Sequence, residues 1–279
     1  MPVIAMSREM GSLGRDVAYG VGEAFGIRVK HHEIIDNLAD KARLRKTHVI
    51  SYLQGKLGFL DRMTIDQAAI AIHSADELLS LAASEPGGIV LRGWGATALM
   101  REVPHVMCVR VCAPTPLRVE RMMERLDSTD RERVTTEISH SDEAHAAIMR
   151  RHFDIQATDA THYDLVLNTE RMSVAECVDA VVHAAKSPGF APTPASVARL
   201  ADLALEARCR AALRRNDATR QCRITLRADD GRVTMSGMVD TAALARACED
   251  AVSATSGVSA VENHLKAIAS AGTRHGGSW

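Results

Sequence analysis

An apolar run that breaks on closely spaced glycines and re-emerges as an amphipathic helix leaves a chain few local geometries. This chain opens that way: Ile4-Ala-Met-Ser-Arg-Glu-Met-Gly11-Ser-Leu-Gly14-Arg-Asp-Val-Ala18. A strand that turns tightly into a helix gathers backbone N–H groups at one point and aims the positive end of the helix dipole there, which suits an anion. The usual nucleotide-phosphate signature, G-x-x-x-x-G-K-[ST], adds a lysine for the terminal phosphates and a hydroxyl for magnesium. Neither is present. Gly11, Ser12 and Gly14 make the bend around Leu13, Arg15 supplies a cation, and Asp16 stands near the place of the hydroxyl. The segment reads either as a phosphate loop or as a bare strand-to-helix turn.

Further along, Asp16 to Phe25 reads as a helix stopped by Gly26, and Ile27 to Val29 as a short extended piece. From His31 to about Ser84 the pattern is helical, with Ile34, Ile35 and Leu38 on one face and Ile65, Ala68, Ala69 and Ile72 on another. Gly88 to Leu91 is a buried strand that ends in Arg92-Gly-Trp-Gly95. Val106 to Val111 is a third strand, followed by a helix opened by Pro114 and Pro116. Tyr163 to Leu167 and Val174 to Ala185 complete the alternation as a strand and a helix. Alternating strands and helices imply an α/β fold with a doubly wound parallel sheet, whose ligands bind beyond the carboxyl ends of the strands. The loops at Gly11, Arg92 and Ala113 should therefore surround one crevice.

The chain is long enough for two cores. Lys186 to Ala195 holds three of its eight prolines, which neither pair into sheets nor continue helices. This places a first domain at 1–186, a linker at 187–196, a small α+β domain at 197–268 and a disordered tail at 269–279. The second domain reads as helix (Val197 to Leu213), strand (Cys222 to Arg227), Asp-Gly turn, strand (Arg232 to Ser236), helix (Thr241 to Ala254) and strand (Ala260 to Ala267). A formal net charge of -1 gives no bulk attraction to nucleic acid or to an anionic membrane. Six cysteines without a C-x-x-C pair suit a reducing compartment. With no signal-like start and no apolar run of about 18 residues, the expected location is cytoplasmic, without a transmembrane segment.

Four segments carry a resemblance. Ser7-Arg-Glu-Met-Gly-Ser-Leu-Gly-Arg-Asp-Val-Ala18 is similar to I-S-R-x-x-G-S-G-G-R-E-I-A, Gly93-Trp-Gly-Ala96 to G-R-G-A, Val109 to Arg121 to V-R-L-x-A-P-x-x-x-R-V-x-R, and Tyr163 to Thr169 to Y-D-L-V-L-N-T. Over residues 3 to 185 the chain thus resembles the cytidylate kinase-like family, relatives of the P-loop nucleoside monophosphate kinases. The resemblance implies a P-loop kinase-like fold with a helical acceptor and lid region, and transfer of a phosphoryl group from ATP to a nucleotide, CMP or dCMP by default. It implies donor contacts from Gly11, Ser12, Leu13, Gly14, Arg15 and Asp16, catalytic cations at Arg15, Arg125, Arg150 and Arg151, and acceptor contacts from His32, Arg92 and Asp142. Mg2+ would arrive with the nucleotide, bound by Asp16 directly or through water. Arg118, interleaved with Glu120, Glu124 and Glu132, reads as a solvated helix face.

The departures matter as well. Leu13 replaces a glycine at the tightest point, His32 an acidic residue and Trp94 an arginine, and Asp142-Glu143 stands where Asp-Arg is usual. Arg92, two positions before Trp94, is not expected to replace the missing arginine. These losses keep open an alternative, a catalytically impaired nucleotide-binding regulator. The adjacent His31 and His32 diverge by about 100° on a helix, so no protein-held metal is expected there. Residues 197 to 267 resemble a BON domain through Gly231-Arg-Val-Thr-Met-Ser-Gly-Met-Val239 and Gly257-Val-Ser-Ala-Val-Glu-Asn263. That implies a module that binds a small molecule, a lipid or a protein, with Val233, Met235 and Val239 as core.

Overall fold

The computed structural model describes residues 2–30, 66–93 and 95–268. It contains two compact units, Met1–Leu200 and Ala201–Trp279. His31 to Ile65, including His32 and the first helical face, lies outside the described residues, as do Trp94 and the tail from 269.

In the first unit, β1 (Val3–Arg8) is central. It pairs in parallel with β3 (Ile89–Arg92) on one side and β4 (Val106–Cys112) on the other. β2 (Arg28–Lys30) and β5 (Leu165–Asn168) lie at the edges, giving the order β2-β3-β1-β4-β5. Helices cover both faces, so β1 is apolar at successive positions with no alternation. Ile4, Met6, Val90, Val109 and Val111 share one face with Val17, Ala18 and Val21 of α1 (Gly14–Phe25), and with Cys177 and Val181 of the later helix Val174–Ala185. Each fully buried aliphatic side chain there contributes roughly 1.5–3 kcal/mol.

The helices between are α2 (Gln67–Ser84), whose cap Asp66 accepts from the Ala69 N–H, α3 (Ala96–Met100), α4 (Thr115–Leu126), α5 (Arg131–Phe153) and α6 (Val174–Ala185), capped reciprocally by Ser173 and Glu176. α4 and α5 form a hairpin around Val119, Met122, Val134 and Ile138, and Met10 from the glycine turn packs on it. α7 (Pro194–Arg215) begins at the last proline of the linker stretch and runs past Leu200.

The second unit holds β6 (Thr225–Asp229), β7 (Arg232–Val239), α8 (Ala242–Ser253) and β8 (Ala260–Ala267) in sheet order β6-β7-β8. Asp230 and Gly231 both take left-handed backbone, φ 45 and 81, as a two-residue hairpin turn requires. Val233, Met235 and Val239 are buried as expected, the first two in one cluster with Leu205, Cys209, Leu226, Cys248 and Val252.

Several element ends differ from the sequence reading. The strand expected from Cys222 starts at Thr225, because the Cys222 N–H donates to the Thr219 carbonyl in a turn. β7 runs on to Val239, held by parallel pairing to Ala267. The strand expected from Tyr163 starts at Leu165, because Tyr163 closes a short 3-10 turn and its hydroxyl donates to the Ala157 carbonyl.

Candidate functional site

The glycine turn sits at the carboxyl end of β1. Gly11 has φ +81, and a Cβ there would lie 2.7 Å from the Arg118 carbonyl oxygen, so both conformation and space demand glycine. At Gly14 an added Cβ would meet the Arg8 Cβ at 2.7 Å. Leu13, at the departure from the family pattern, keeps the left-handed geometry of a glycine, φ 58 and ψ 12, as the residue before α1. A leucine so held carries about 1–2 kcal/mol of strain. The Ser12 N–H donates to the Glu9 carbonyl and the Asp16 N–H to the Leu13 carbonyl, whereas the N–H groups of Leu13, Gly14 and Arg15 have no hydrogen-bond partner among the described residues. Three donors stand open at a helix start, where the dipole favours an anion.

A lattice of side chains holds this turn in place. Glu9 accepts from Arg110 at 2.7 Å and from the Ala113 N–H at 3.2 Å, and Arg118 lies 3.5 Å from it. Arg118 is buried rather than solvated, correcting the sequence reading: it donates to both oxygens of Asp142, at 3.2 and 2.8 Å, and to the Met10 carbonyl. The helix pattern could not disclose this, since only the close approach of the turn to α4 takes Arg118 out of water. Arg121 donates to the Thr169 hydroxyl and carbonyl, and that hydroxyl in turn donates to the Ser12 carbonyl at 2.9 Å. Ser12 is fully buried and its own hydroxyl donates to the Glu9 carbonyl, so its side chain serves the turn's internal bonding. Three of the motif segments thus meet as one scaffold.

Above the turn, cations converge. Arg8 follows Ile4 and Met6 in parity on the α1 face of the sheet, and Arg92 is paired in register with Met6, which puts it on that face too. Strand parity thus sets Arg92 on the same face of the sheet as Arg8. Burial lowers the Arg8 pKa, helped by Arg125 and Arg15 and opposed by Asp16. Burial, then Arg8, Arg15 and Arg125, brings Arg92 down to about 10, with Tyr19 opposing. Arg15 is exposed in the first turn of α1, its guanidinium 5.6 Å from the Tyr19 ring centre, and Arg125 is exposed in the last turn of α4.

The structure thus brings together Gly11, Leu13, Gly14, Arg15, Asp16, Arg92 and Arg125, and adds Arg8 and Tyr19, which the sequence reading passed over. The parity of Arg8 with Ile4 and Met6, and the four-residue step from Arg15 to Tyr19, were the available signals. Arg150 and Arg151 lie on the exposed last turn of α5 and are not among the charges acting on Arg8 or Arg92. Asp142 is engaged by Arg118. On the opposite face of the sheet His145, near the Ser7 hydroxyl at 3.4 Å, is held down to about 4 by burial and by Arg110 and Arg8, against Asp142.

A parallel sheet in the order 2-3-1-4-5, with open amides and clustered arginines past its central strand, defines a protein of the P-loop kinase-like class. The profile of the cytidylate kinase-like family matches residues 3–171, and the chain belongs to that family. Residues 201–269 match the BON domain. No curated protein matches the chain. Among solved structures, an uncharacterized protein from Eubacterium ventriosum is similar at 19% identity and a TM-score of 0.53, covering 67% of this chain and 99% of that one. Weaker likenesses are to shikimate kinases from Bacteroides thetaiotaomicron (12% identity, TM-score 0.43, covering 67% and 99%) and Acinetobacter baumannii (14%, 0.39, covering 66% and 92%). Among the described residues no helix is long and apolar enough to cross a membrane.

Proposed function

We propose that the first unit binds ATP at the Gly11–Asp16 turn and transfers its terminal phosphoryl group to a nucleoside monophosphate, CMP or dCMP by family resemblance. The observation that carries this reading is the clustering of Arg8, Arg15, Arg92 and Arg125, near enough to act on one another's charge, beside a turn whose Leu13, Gly14 and Arg15 amides stand open. Like charges gathered over a half-buried site repel one another unless an anion joins them, and a triphosphate is such an anion. In the transfer, a phosphate oxygen of the acceptor bonds to the γ-phosphorus as the bond from that phosphorus to the β–γ bridging oxygen breaks. ADP leaves, and the arginines offset charge spreading over the moving group.

The donor set also suits magnesium. Asp16 is an exposed carboxylate at the same helix start and acts on Arg8, and Mg2+ is ordinarily held by one or two carboxylates plus substrate phosphates. When bound, the ion would neutralise phosphate charge. The BON domain is proposed to bind a ligand that regulates or tethers the kinase-like unit.

The test is incubation of the full chain with ATP, magnesium and each monophosphate. A nucleoside diphosphate product is expected, lost in Arg15→Ala and Arg8→Ala. Product no greater than in the Arg15→Ala control refutes the transfer. Nucleotide binding by calorimetry without product would leave the second reading, a nucleotide-binding regulator, which is favoured by Leu13 at a glycine position and by the engagement of Asp142 with Arg118. Absence of any nucleotide binding would remove both.

A further inference from the structure

In the BON domain the Cys248 thiol, on α8, points at the Cys222 sulfur 3.6 Å away. That contact distinguishes this pair from Cys108 and Cys112, whose thiols donate to the carbonyls of Thr97 and Leu167. A disulfide requires a sulfur separation of about 2.05 Å, so the gap to close is about 1.5 Å. Cys222 can supply that movement. It lies before β6 begins, outside the strand ladder, tied to its neighbours by the bond from its N–H to the Thr219 carbonyl. Exposure is divided between the partners. Cys248 is fully buried in the core with Leu213, Leu226 and Val252, whereas Cys222 is only partly covered. An oxidant therefore reaches Cys222 first, and Cys248 waits behind it.

We propose that Cys222 and Cys248 form an oxidisable dithiol that closes to an intramolecular disulfide with a small disulfide such as glutathione disulfide. The Cys222 thiolate attacks one sulfur of the oxidant, the oxidant's S–S bond breaks, and one glutathione leaves as thiolate and takes up a proton. The Cys248 thiol then gives up its proton, its sulfur attacks Cys222 in the mixed disulfide, and the second glutathione leaves. Two electrons pass from the protein dithiol to the oxidant, and the two thiol protons end on two glutathiones. Burial and the neighbouring sulfur push the Cys248 thiol up to about 12, so the second step is the slower and depends on the closeness of the two sulfurs. The new bond closes a loop containing β6 and β7 and ties the entry to the hairpin to α8, constraining the unfolded chain.

The test is exposure of the native full chain to glutathione disulfide, followed by intact mass and peptide mapping. Loss of two hydrogens, a linked 222–248 peptide and a higher thermal midpoint for the BON domain, all reversed by dithiothreitol, are expected. In Cys248→Ala the same treatment should leave one glutathione on Cys222, and in Cys222→Ser it should leave neither adduct nor disulfide. The inference is overturned if glutathione stays on Cys222 of the wild-type chain without resolving, or if the disulfide maps to Cys209 or another residue. It is also overturned if the native chain does not react while the urea-unfolded chain does. Circular dichroism of each variant distinguishes failure to fold from failure to react.

Discussion

Replacing Arg92 by methionine should make the ligand-free protein more stable and its anion site weaker. Arg92 is 3% exposed, and its pKa falls from the ordinary arginine value to about 10 through burial and the charges of Arg8, Arg15 and Arg125. At about 1.4 kcal/mol for each tenfold change in the protonation constant, holding this charge in the folded chain costs about 3 kcal/mol. The sign follows from linkage: the folded protein binds this proton more weakly than the unfolded one. The cost is thus complete below about pH 10 and disappears only as the pH rises from about 10 towards the ordinary arginine value. Methionine has similar length and no charge, but it loses the polar contacts of the guanidinium and packs imperfectly, so a gain of about 1–3 kcal/mol is expected. The thermal midpoint of the kinase-like unit should rise by about 2–10 °C. At the same time a charge-assisted contact to phosphate, about 1.5–3 kcal/mol, is lost, weakening ATP binding by roughly 10- to 100-fold. Differential scanning calorimetry with and without ATP and magnesium measures both quantities. A lower ligand-free midpoint together with an undiminished ATP-induced rise would refute the reasoning, because Arg92 would then be a structural residue rather than one held for an anion.

Other perturbations address the scaffold. Thr169→Val removes the donor to the Ser12 carbonyl and the acceptor for Arg121, and should cost about 1–3 kcal/mol in urea unfolding while lowering nucleotide affinity; unchanged values for both would show that the turn holds itself. Arg118→Ala leaves the partly exposed Asp142 without its partner, while Glu9 keeps Arg110 and the Ala113 N–H, and should cost about 1–3 kcal/mol, whereas the paired change Arg118→Met with Asp142→Leu should cost less; equal losses would rule out uncompensated charge as the cause. For His145, the folded value of about 4 lies below the ordinary 6.5, so the unfolded chain takes its proton first. Stability should then fall by about 2 kcal/mol, after discounting for partial exposure, as the pH drops from 6.5 to 4. His145→Gln should flatten that interval in pH-dependent urea titrations, and a slope equal to wild type would exclude His145 as its source.

The sequence by itself determined the local pieces. Uninterrupted apolar runs such as Val3 to Met6 can be satisfied only by a strand buried on both faces, and Asp230-Gly231 only by a tight hairpin, because these constraints act within a few residues. The glycine turn was legible for the same reason, down to the glycine at position 11. What required the tertiary structure was every contact set by the register of neighbouring strands or by one helix lying against the turn. Arg92 joins Arg8 because parallel pairing aligns it with Met6, and Arg118 is a buried partner of Asp142 because Gly11 lets α4 come within touching distance. Such contacts join residues far apart in the chain, and periodicity carries no information about them. Leu13 shows the division within one residue: its identity predicts a blocked turn, but packing and hydrogen bonds on either side force a left-handed backbone that an isolated leucine would avoid.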